Sequence, residues 1–185
     1  MKRPAFLAIF AIALSVTVAC GEADTTEEQG LSRQAFKSFS IDIPGSWRKI
    51  PQESFANTIP TETVAIFVRK VEGDDFIQNA NVVVEAINTD ASSLEYAKAN
   101  ILLGSKAIID YRPLSTEEVV VGGVKTAFHL FRARSSGTDP LRHFSQSYFA
   151  RDKMAYTVTC IAKEEDEPQQ LACAGLVKSF QFSQN

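Results

Sequence analysis

The sequence predicts an α+β domain in which a central antiparallel β-sheet is flanked by helices, an α/β/α sandwich. Three observations lead to this prediction. β-branched and aromatic runs with alternating polarity dominate the chain after residue 35. Tight polar or glycine turns join neighbouring runs, which forces antiparallel pairing. Two stretches have helical spacing of apolar residues, and such helices must cover the apolar faces of the sheet.

The strands predicted before the first helix are short. Residues 36–44, FKSFSIDIP, alternate apolar and polar side chains and end at Pro44-Gly45. Trp47 opens a second short strand. Two β-branched runs, 63–71 and 81–87, are the next strands, and the sequence EGDDF forms a turn between them.

Two helices are predicted from their start signals and apolar stripes. Ser92 and Glu95 have the spacing of a capping box, and the helix is expected over residues 93–105. The second helix follows an acidic run and has Pro168 in its first turn. Its inward stripe consists of Cys173, Leu176, Val177 and Phe180.

An antiparallel meander is predicted between the helices. The strand segments are 108–114, 117–121, 124–134, 141–150 and 154–162. Gly122-Gly123 is a strong hairpin turn, and Arg151-Asp152-Lys153 makes another tight turn.

The first residues describe a secretion signal. Lys2 and Arg3 precede the apolar residues 5–19, which are too few for the about 20 that span a bilayer. Thr17-Val18-Ala19-Cys20 resembles the lipobox of bacterial lipoproteins. The resemblance implies that residues 1–19 are removed and that Cys20 becomes a lipidated N-terminus. The alternative is a plain secreted protein with a free cysteine near its start.

The expected domain organisation is a signal over 1–19, a lipidated cysteine and acidic tether over 20–34, and one domain over 35–185. The tether is polar and cannot bury enough apolar surface to fold. Gly21 after the cysteine implies the periplasmic face of the outer membrane if the cell is Gram-negative, so the membrane is one expected partner.

Charge and composition exclude some classes of partner. The net charge is −3, and it becomes −5 once the signal with its two basic residues is removed. A nucleic-acid-binding protein would need a clustered basic excess, so nucleic acid is not an expected partner.

Two sets of side chains are candidates for binding. His129 and His143 lie on predicted strands, and ordinary strand-surface histidines are favoured over metal ligands, which would need three or four groups of fixed geometry. Four residues flank one hairpin tip and could dock an anionic partner: Arg132, Arg134, Arg142 and His143. The favoured alternative is edge charge that discourages pairing between sheets.

No catalytic, metal or cofactor site is predicted. Glu164–Glu167 could collect a divalent ion, but the start of the last helix already explains these acids. The chain has no Gly-x-Ser-x-Gly elbow, no phosphate-binding glycine loop and no HExxH motif.

Cys160 and Cys173 remain as a pair in an oxidising compartment, which favours a disulfide. Cys160 shares a strand face with the apolar Tyr156 and Val158, and Cys173 is on the inward stripe of the last helix. Two buried thiols are the alternative, and a nucleophilic Cys160 would need a base nearby.

The ordered set of segments resembles the superfamily of PsbP-like and Mog-like proteins, which includes bacterial DcrB-type lipoproteins. The segments are FSIDIPGSW, the long helix, the hairpins after Gly122-Gly123, AYTVTC and VKSFQF. The resemblance implies a central antiparallel sheet with helices on both faces. It also implies mostly non-catalytic roles, such as assembly of photosystem II, binding of a small GTPase and envelope functions. The histidines tied to the photosystem role have no evident counterpart, and no functional residue is carried over.

The sequence therefore favours a non-enzymatic envelope lipoprotein that binds or assembles with an unknown protein or small ligand. The alternative hypothesis is an envelope hydrolase whose residues converge from distant strands.

Overall fold

The structure is a computed structural model that describes residues 30–54, 62–70 and 73–183. The predicted signal, Cys20 and part of the predicted tether lie outside the described residues. The elements are β1 (Leu31–Ala35), β2 (Phe39–Pro44), β3 (Arg48–Lys49), a 3₁₀ turn (Gln52–Ser54), β4 (Thr63–Lys70), β5 (Ile77–Ala86), α1 (Ser93–Ala107), β6 (Ile109–Val121), β7 (Val124–Arg134), β8 (Arg142–Arg151), β9 (Met154–Lys163), α2 (Glu167–Lys178) and β10 (Gln181–Phe182).

Seven strands form one antiparallel sheet in the order β3-β4-β5-β9-β8-β7-β6. The predicted meander β6 to β9 makes up one half, and β9 pairs with β5 at the centre. Its tight turns need left-handed backbone, which Gly122 and Gly123 supply between β6 and β7 at φ 55° and 79°. Asp152 and Lys153 do the same between β8 and β9 at φ 54° and 59°.

One face of this sheet is covered by α1. Tyr96 and Ala97 of the helix pack against Ala127, Tyr148 and Ala155 of the sheet. We call this side of the sheet the α1 face. Successive side chains of a strand point to opposite sides, so in β8 the residues two or four positions from Tyr148 also lie on the α1 face.

The other side, the α2 face, holds the larger core. Val177 of α2 packs there with Phe149 and Val158 of the sheet. A second, three-stranded sheet, β1-β2-β10, covers the rest of this face through Phe39 and other apolar residues of β2. The architecture is the predicted α/β/α sandwich.

The helix starts agree with the sequence signals. The capping box of Ser92 and Glu95 is complete, and α1 ends at Ala107, two residues later than predicted. Asp166 caps α2 by accepting from the backbone N–H of Gln169. Phe180 lies beyond the end of α2 rather than on its stripe, although it is fully buried between aromatic rings.

The predicted boundary between tether and domain was wrong by four residues. Residues 31–34 belong to β1, which pairs with β2 along its whole length. Its side chains are mostly exposed, so no apolar alternation marked it as a strand. The pairing is backbone-driven and is supported by Arg33, which contacts both carboxylate oxygens of Asp42 at 2.7 Å.

Three further differences concern strand limits. β5 begins at Ile77, four residues before the predicted run. The prediction missed this start because Gln78 and Asn79 are polar residues that are nevertheless buried. The two segments predicted as 108–114 and 117–121 are one strand, β6, with two register shifts. The short β10 pairs with β2 from the other end of the chain, a contact that local patterns do not reveal.

Candidate functional site

The four predicted docking residues do not converge on one surface. Arg132 and His143 are direct cross-strand partners in β7 and β8, so they lie on the same face, the α2 face. Arg142 precedes His143 and therefore points to the α1 face. Arg134 lies at the end of β7, opposite the start of the edge strand β6.

Arg132, His143 and Glu164 form a small charged cluster. Arg132 Nη1 is 2.9 Å from Glu164 Oε1, with side chains 39% and 30% exposed. Burial lowers the pKa of His143, and the neighbouring Arg132 lowers it further, while Glu164 acts in the opposite direction. The cluster thus holds a buried neutral imidazole beside a half-exposed ion pair.

The other two arginines are also engaged inside the domain. Arg134 Nε is 2.6 Å from Asp110 Oδ2, and its Nη1 donates to the carbonyl of Asp139. The guanidinium of Arg142 lies 4.1 Å above the ring of Phe76. Such contacts within the domain are expected of charged residues that protect the end of a sheet from pairing with another sheet. Docking of a partner through these arginines remains a prediction.

His129 is not the strand-surface residue that the sequence predicted, because its side chain is only 1% exposed. Its Nε2 lies 2.7 Å from the Tyr111 hydroxyl, and its Nδ1 lies 3.0 Å from the carbonyl of Ser115 and 2.8 Å from Thr116 Oγ1. A carbonyl only accepts, so Nδ1 carries a proton, and in the neutral ring Nε2 then accepts from the Tyr111 hydroxyl. Burial lowers the pKa of His129. Both ring nitrogens are therefore occupied in a neutral histidine, which leaves neither free to act as a base.

His129 belongs to a row of polar residues that crosses five strands on the α1 face. Each member is the direct cross-strand partner of the next. From β6 to β5 the row is Thr116, His129, Gln146, Thr159 and Asn81. All but Thr116 are buried.

Hydrogen bonds satisfy much of this row and its surroundings. Gln146 Nε2 donates to Thr159 Oγ1 at 2.9 Å, and Tyr148 donates to Gln146 Oε1 at 2.6 Å. Above them, the hydroxyl of Tyr96 donates to Glu85 at 2.6 Å. Buried polar groups in such networks fix side-chain positions, because breaking one partner leaves the other unsatisfied.

The α2 face contains the predicted pair of cysteines, joined as a disulfide. Cys160 of β9 and Cys173 of α2 are bonded, with Cα atoms 5.2 Å apart. Both are fully buried. The bond ties the helix to the central strand at the middle of the larger core.

Two open clefts lie at the rim of the domain. The larger, about 600 Å³, lies between the two tight turns and β10 and is lined by Gly122, Asp152 and Phe182, among others. The smaller, about 280 Å³, lies where the chain enters the domain and is lined by Gly30, Trp47 and other residues.

Neither a metal-binding cluster nor a membrane-spanning helix occurs among the described residues. No group of three or more His, Cys, Asp or Glu side chains is placed to hold a metal ion within the described ranges. Across those same ranges, neither helix is long and apolar enough to cross a membrane.

Comparison with known proteins gives relatives by structure alone. No protein-family model matches the chain, and no curated protein matches it in sequence. The cyanobacterial PsbP (CyanoP) of Synechocystis is similar with a TM-score of 0.58 and 15% identity, over 90% of this chain and 99% of that one. LpqN of Mycobacterium tuberculosis, involved in cell envelope biogenesis, has a TM-score of 0.60 and 10% identity, over 84% and 91%. PA94 of Pseudomonas aeruginosa, a protein of unknown function, has a TM-score of 0.51 and 12% identity, over 77% of this chain and 90% of that one.

These likenesses define the class of fold: an antiparallel sheet between two helical layers, closed on one face by a small second sheet. The chain has the PsbP-like fold, as its sequence segments predicted. At these identities the likeness concerns the fold and not the function.

Proposed function

We propose that this protein is a non-enzymatic lipoprotein of the cell envelope, held on its membrane by a lipid on Cys20, which binds a protein partner. The lipobox-like Thr17–Cys20 supports the anchor. A PsbP-like fold shared with LpqN, a protein of cell envelope biogenesis, supports the setting.

The observation that carries the binding role is the open edge strand β6. It is 13 residues long and, within the described residues, pairs only with β7. Its first half is irregular, with Pro113 and two register shifts, which are features that discourage strand addition. From Ser115 to Val121 the register is unbroken, so the outer side of this half has a regular row of backbone donors and acceptors.

The side chains of this half indicate the chemistry of the partner. Val120 is 71% exposed, and Glu118, paired with Lys125 at 2.7 Å, is 53% exposed at its side chain. Glu117 is exposed as well. An extended partner segment with apolar and basic residues would complement this edge.

A photo-crosslinking amino acid at Val120 tests the proposal in the native envelope. Leu171 is the matched control, because it is an exposed apolar residue, 65% exposed, on the outer side of α2. We expect discrete protein adducts from Val120 and none from Leu171. Glu117→Lys with Glu118→Lys should weaken the Val120 adducts, whereas Arg134→Glu with Arg142→Glu should leave them.

Other outcomes overturn the proposal. Adducts from Leu171 alone, or Val120 adducts lost only in the arginine variant at unchanged thermal stability, would move the binding surface away from β6. A protein that gives no adduct from either position in the envelope is not a binding module of this kind.

A further inference from the structure

Basic side chains gather at the edge of the large sheet opposite β6. Both residues of the edge strand β3, Arg48 and Lys49, are basic and exposed. Arg48 pairs with Val68, and the next two residues of that neighbouring strand are Arg69 and Lys70.

A fifth basic residue joins them from the turn between β1 and β2 of the small sheet. Lys49 Nζ lies 4.4 Å from the centroid of the Phe36 ring, and the exposed Lys37 follows Phe36 directly. We call these five residues the basic edge: Lys37, Arg48, Lys49, Arg69 and Lys70.

The basic edge is a local excess in an acidic protein. Residues 30–70 contain six Lys and Arg against three Asp and Glu, whereas residues 71–185 contain eleven against fifteen. One of the three acids, Asp42, is paired with Arg33. The five side chains of the basic edge therefore differ in sign from the chain as a whole, whose net charge is −3. The turn after Lys70 carries Asp74, which pairs with Lys163, and Asp75.

The chain enters the domain at the same place. Gly30 lines the same small cleft as Trp47 and Lys49. Cys20 is ten residues before Gly30, and ten residues span at most about 35 Å. A lipid on Cys20 would hold the basic edge within that distance of the bilayer.

We propose that the basic edge docks on anionic phospholipid headgroups of the membrane that holds the protein. This inference rests on the proposed lipid anchor at Cys20. Each Lys or Arg near an anionic surface strengthens binding by about fivefold, the equivalent of about 1 kcal/mol. Tethering makes such weak contacts sufficient, because it raises the effective concentration of the surface.

Docking by this edge would orient the whole sheet. The strand order places β3 and β6 at opposite edges, six strand spacings apart. At about 4.8 Å each, β6 would stand about 29 Å farther from the membrane. The edge proposed for partner binding would then face away from the lipid.

Vesicle sedimentation with the full mature chain carrying Cys20→Ser tests the docking without the lipid anchor. We expect binding to phosphatidylglycerol-containing vesicles, none to pure phosphatidylcholine, and loss of binding at high salt. Lys37→Gln, Arg48→Gln and Lys49→Gln together should weaken binding by about 100-fold.

The matched control removes the same charge elsewhere, with Lys98→Gln, Lys106→Gln and Lys125→Gln on α1 and β7. It should bind within about threefold of the parent chain. If the triple variant of the basic edge is less stable to heat, Arg69→Gln with Lys70→Gln replaces it, with an expected loss of about 25-fold. Equal weakening in the control, or no binding by the parent chain, overturns the docking proposal. Neither result affects the crosslinking test of the β6 edge or the lipidation of Cys20, so failures of the two proposals are distinguishable.

Discussion

His129 and His143 are both buried, and their surroundings favour a structural role for the two imidazole rings. His129 donates from Nδ1 to a carbonyl, and its burial favours the neutral ring, in which Nε2 accepts from Tyr111. His143 is buried beside a cation, Arg132, which also disfavours a charged ring. Protonation of either ring in the folded protein would place a charge in a buried position, and in His143 it would also place like charges together.

This arrangement predicts a loss of stability in mild acid. The folded pKa of each histidine is lowered, whereas the unfolded chain titrates near about 6.5. Their contribution is constant above about pH 6.5 and falls as the pH drops toward the folded values, since the unfolded state then binds more protons. We expect the free energy of unfolding in urea to decrease between about pH 7.5 and 5.5, by up to about 1.4 kcal/mol per unit and histidine.

Variants assign that decrease to the two rings. His129→Gln and His143→Gln should each flatten the pH dependence, and the double variant should flatten it most, even where the variants are less stable at neutral pH. The carboxylates with lowered pKa values, Asp74, Glu95 and Glu118, titrate at more acidic pH and do not interfere. An unchanged slope in the double variant would show that other groups cause it.

At the scale of elements, local signals explain what the sequence predicted. The capping box at Ser92, the glycine pair at 122–123 and the alternating runs act within a few residues, and each specifies its element where it stands. The sequence did not predict β1 and β10, because both strands form by pairing with β2, one from each end of the domain. No apolar pattern accompanies such backbone pairing.

The buried polar row on the α1 face was not predicted, for a different reason. In β9, Thr157 and Thr159 alternate with buried apolar residues, a pattern that normally places the polar side chains in water. Here the strand is the centre of a sheet covered on both faces, so both threonines are buried. A predicted sandwich with helices on both faces already implies that central strands have no wet side, which is the signal that could have revealed the row.

The bond between β9 and α2 is the element-scale feature with the clearest test. Cys160 and Cys173 are 13 residues apart, and a closed loop of that size constrains the unfolded chain by about 3 kcal/mol. We expect that protein purified from the envelope and denatured without reductant takes up no alkylating label at either residue, and takes it up at both after reduction. Reduction, or Cys160→Ala with Cys173→Ala, should lower the free energy of unfolding by about that amount.

The order of the alkylation and reduction steps separates the alternatives. Full labelling before reduction would mean two buried thiols and no bond. Labelling at one residue alone would indicate a reactive cysteine with a different partner.

At the scale of the whole molecule, the two edges of the large sheet differ in length and charge. One edge, β3, is short, basic and close to where the chain enters. The other, β6, is long, and among the described residues the regular second half of this strand pairs only with β7. The disulfide, the aromatic stack around Phe180 and the polar row lie between them and fix the sheet that separates the two edges. This difference between the edges is the basis of the two proposals, membrane docking at β3 and partner binding at β6.

The predicted lipidation of Cys20 determines how the whole protein would be held at the membrane. Residues 5–19 with the cysteine behind them predict that Cys20 is acylated and becomes the new N-terminus. Stable anchoring needs more than one chain, since a single acyl chain binds a bilayer only marginally. The mature wild-type protein should therefore partition into the detergent phase and incorporate radiolabelled fatty acid. Cys20→Ser should yield either a soluble, unlipidated protein or one with its signal uncleaved.

The control for this experiment is the variant Cys160→Ala with Cys173→Ala, which removes the other two cysteines of the chain and should keep both the lipid and the partitioning. A Cys20→Ser protein that is still processed and acylated would remove the anchor from the proposed function. The lipid would then be attached at another residue, and the salt sensitivity of vesicle binding would separate the basic edge from that lipid, because exposed charges are screened by salt while acyl chains are not.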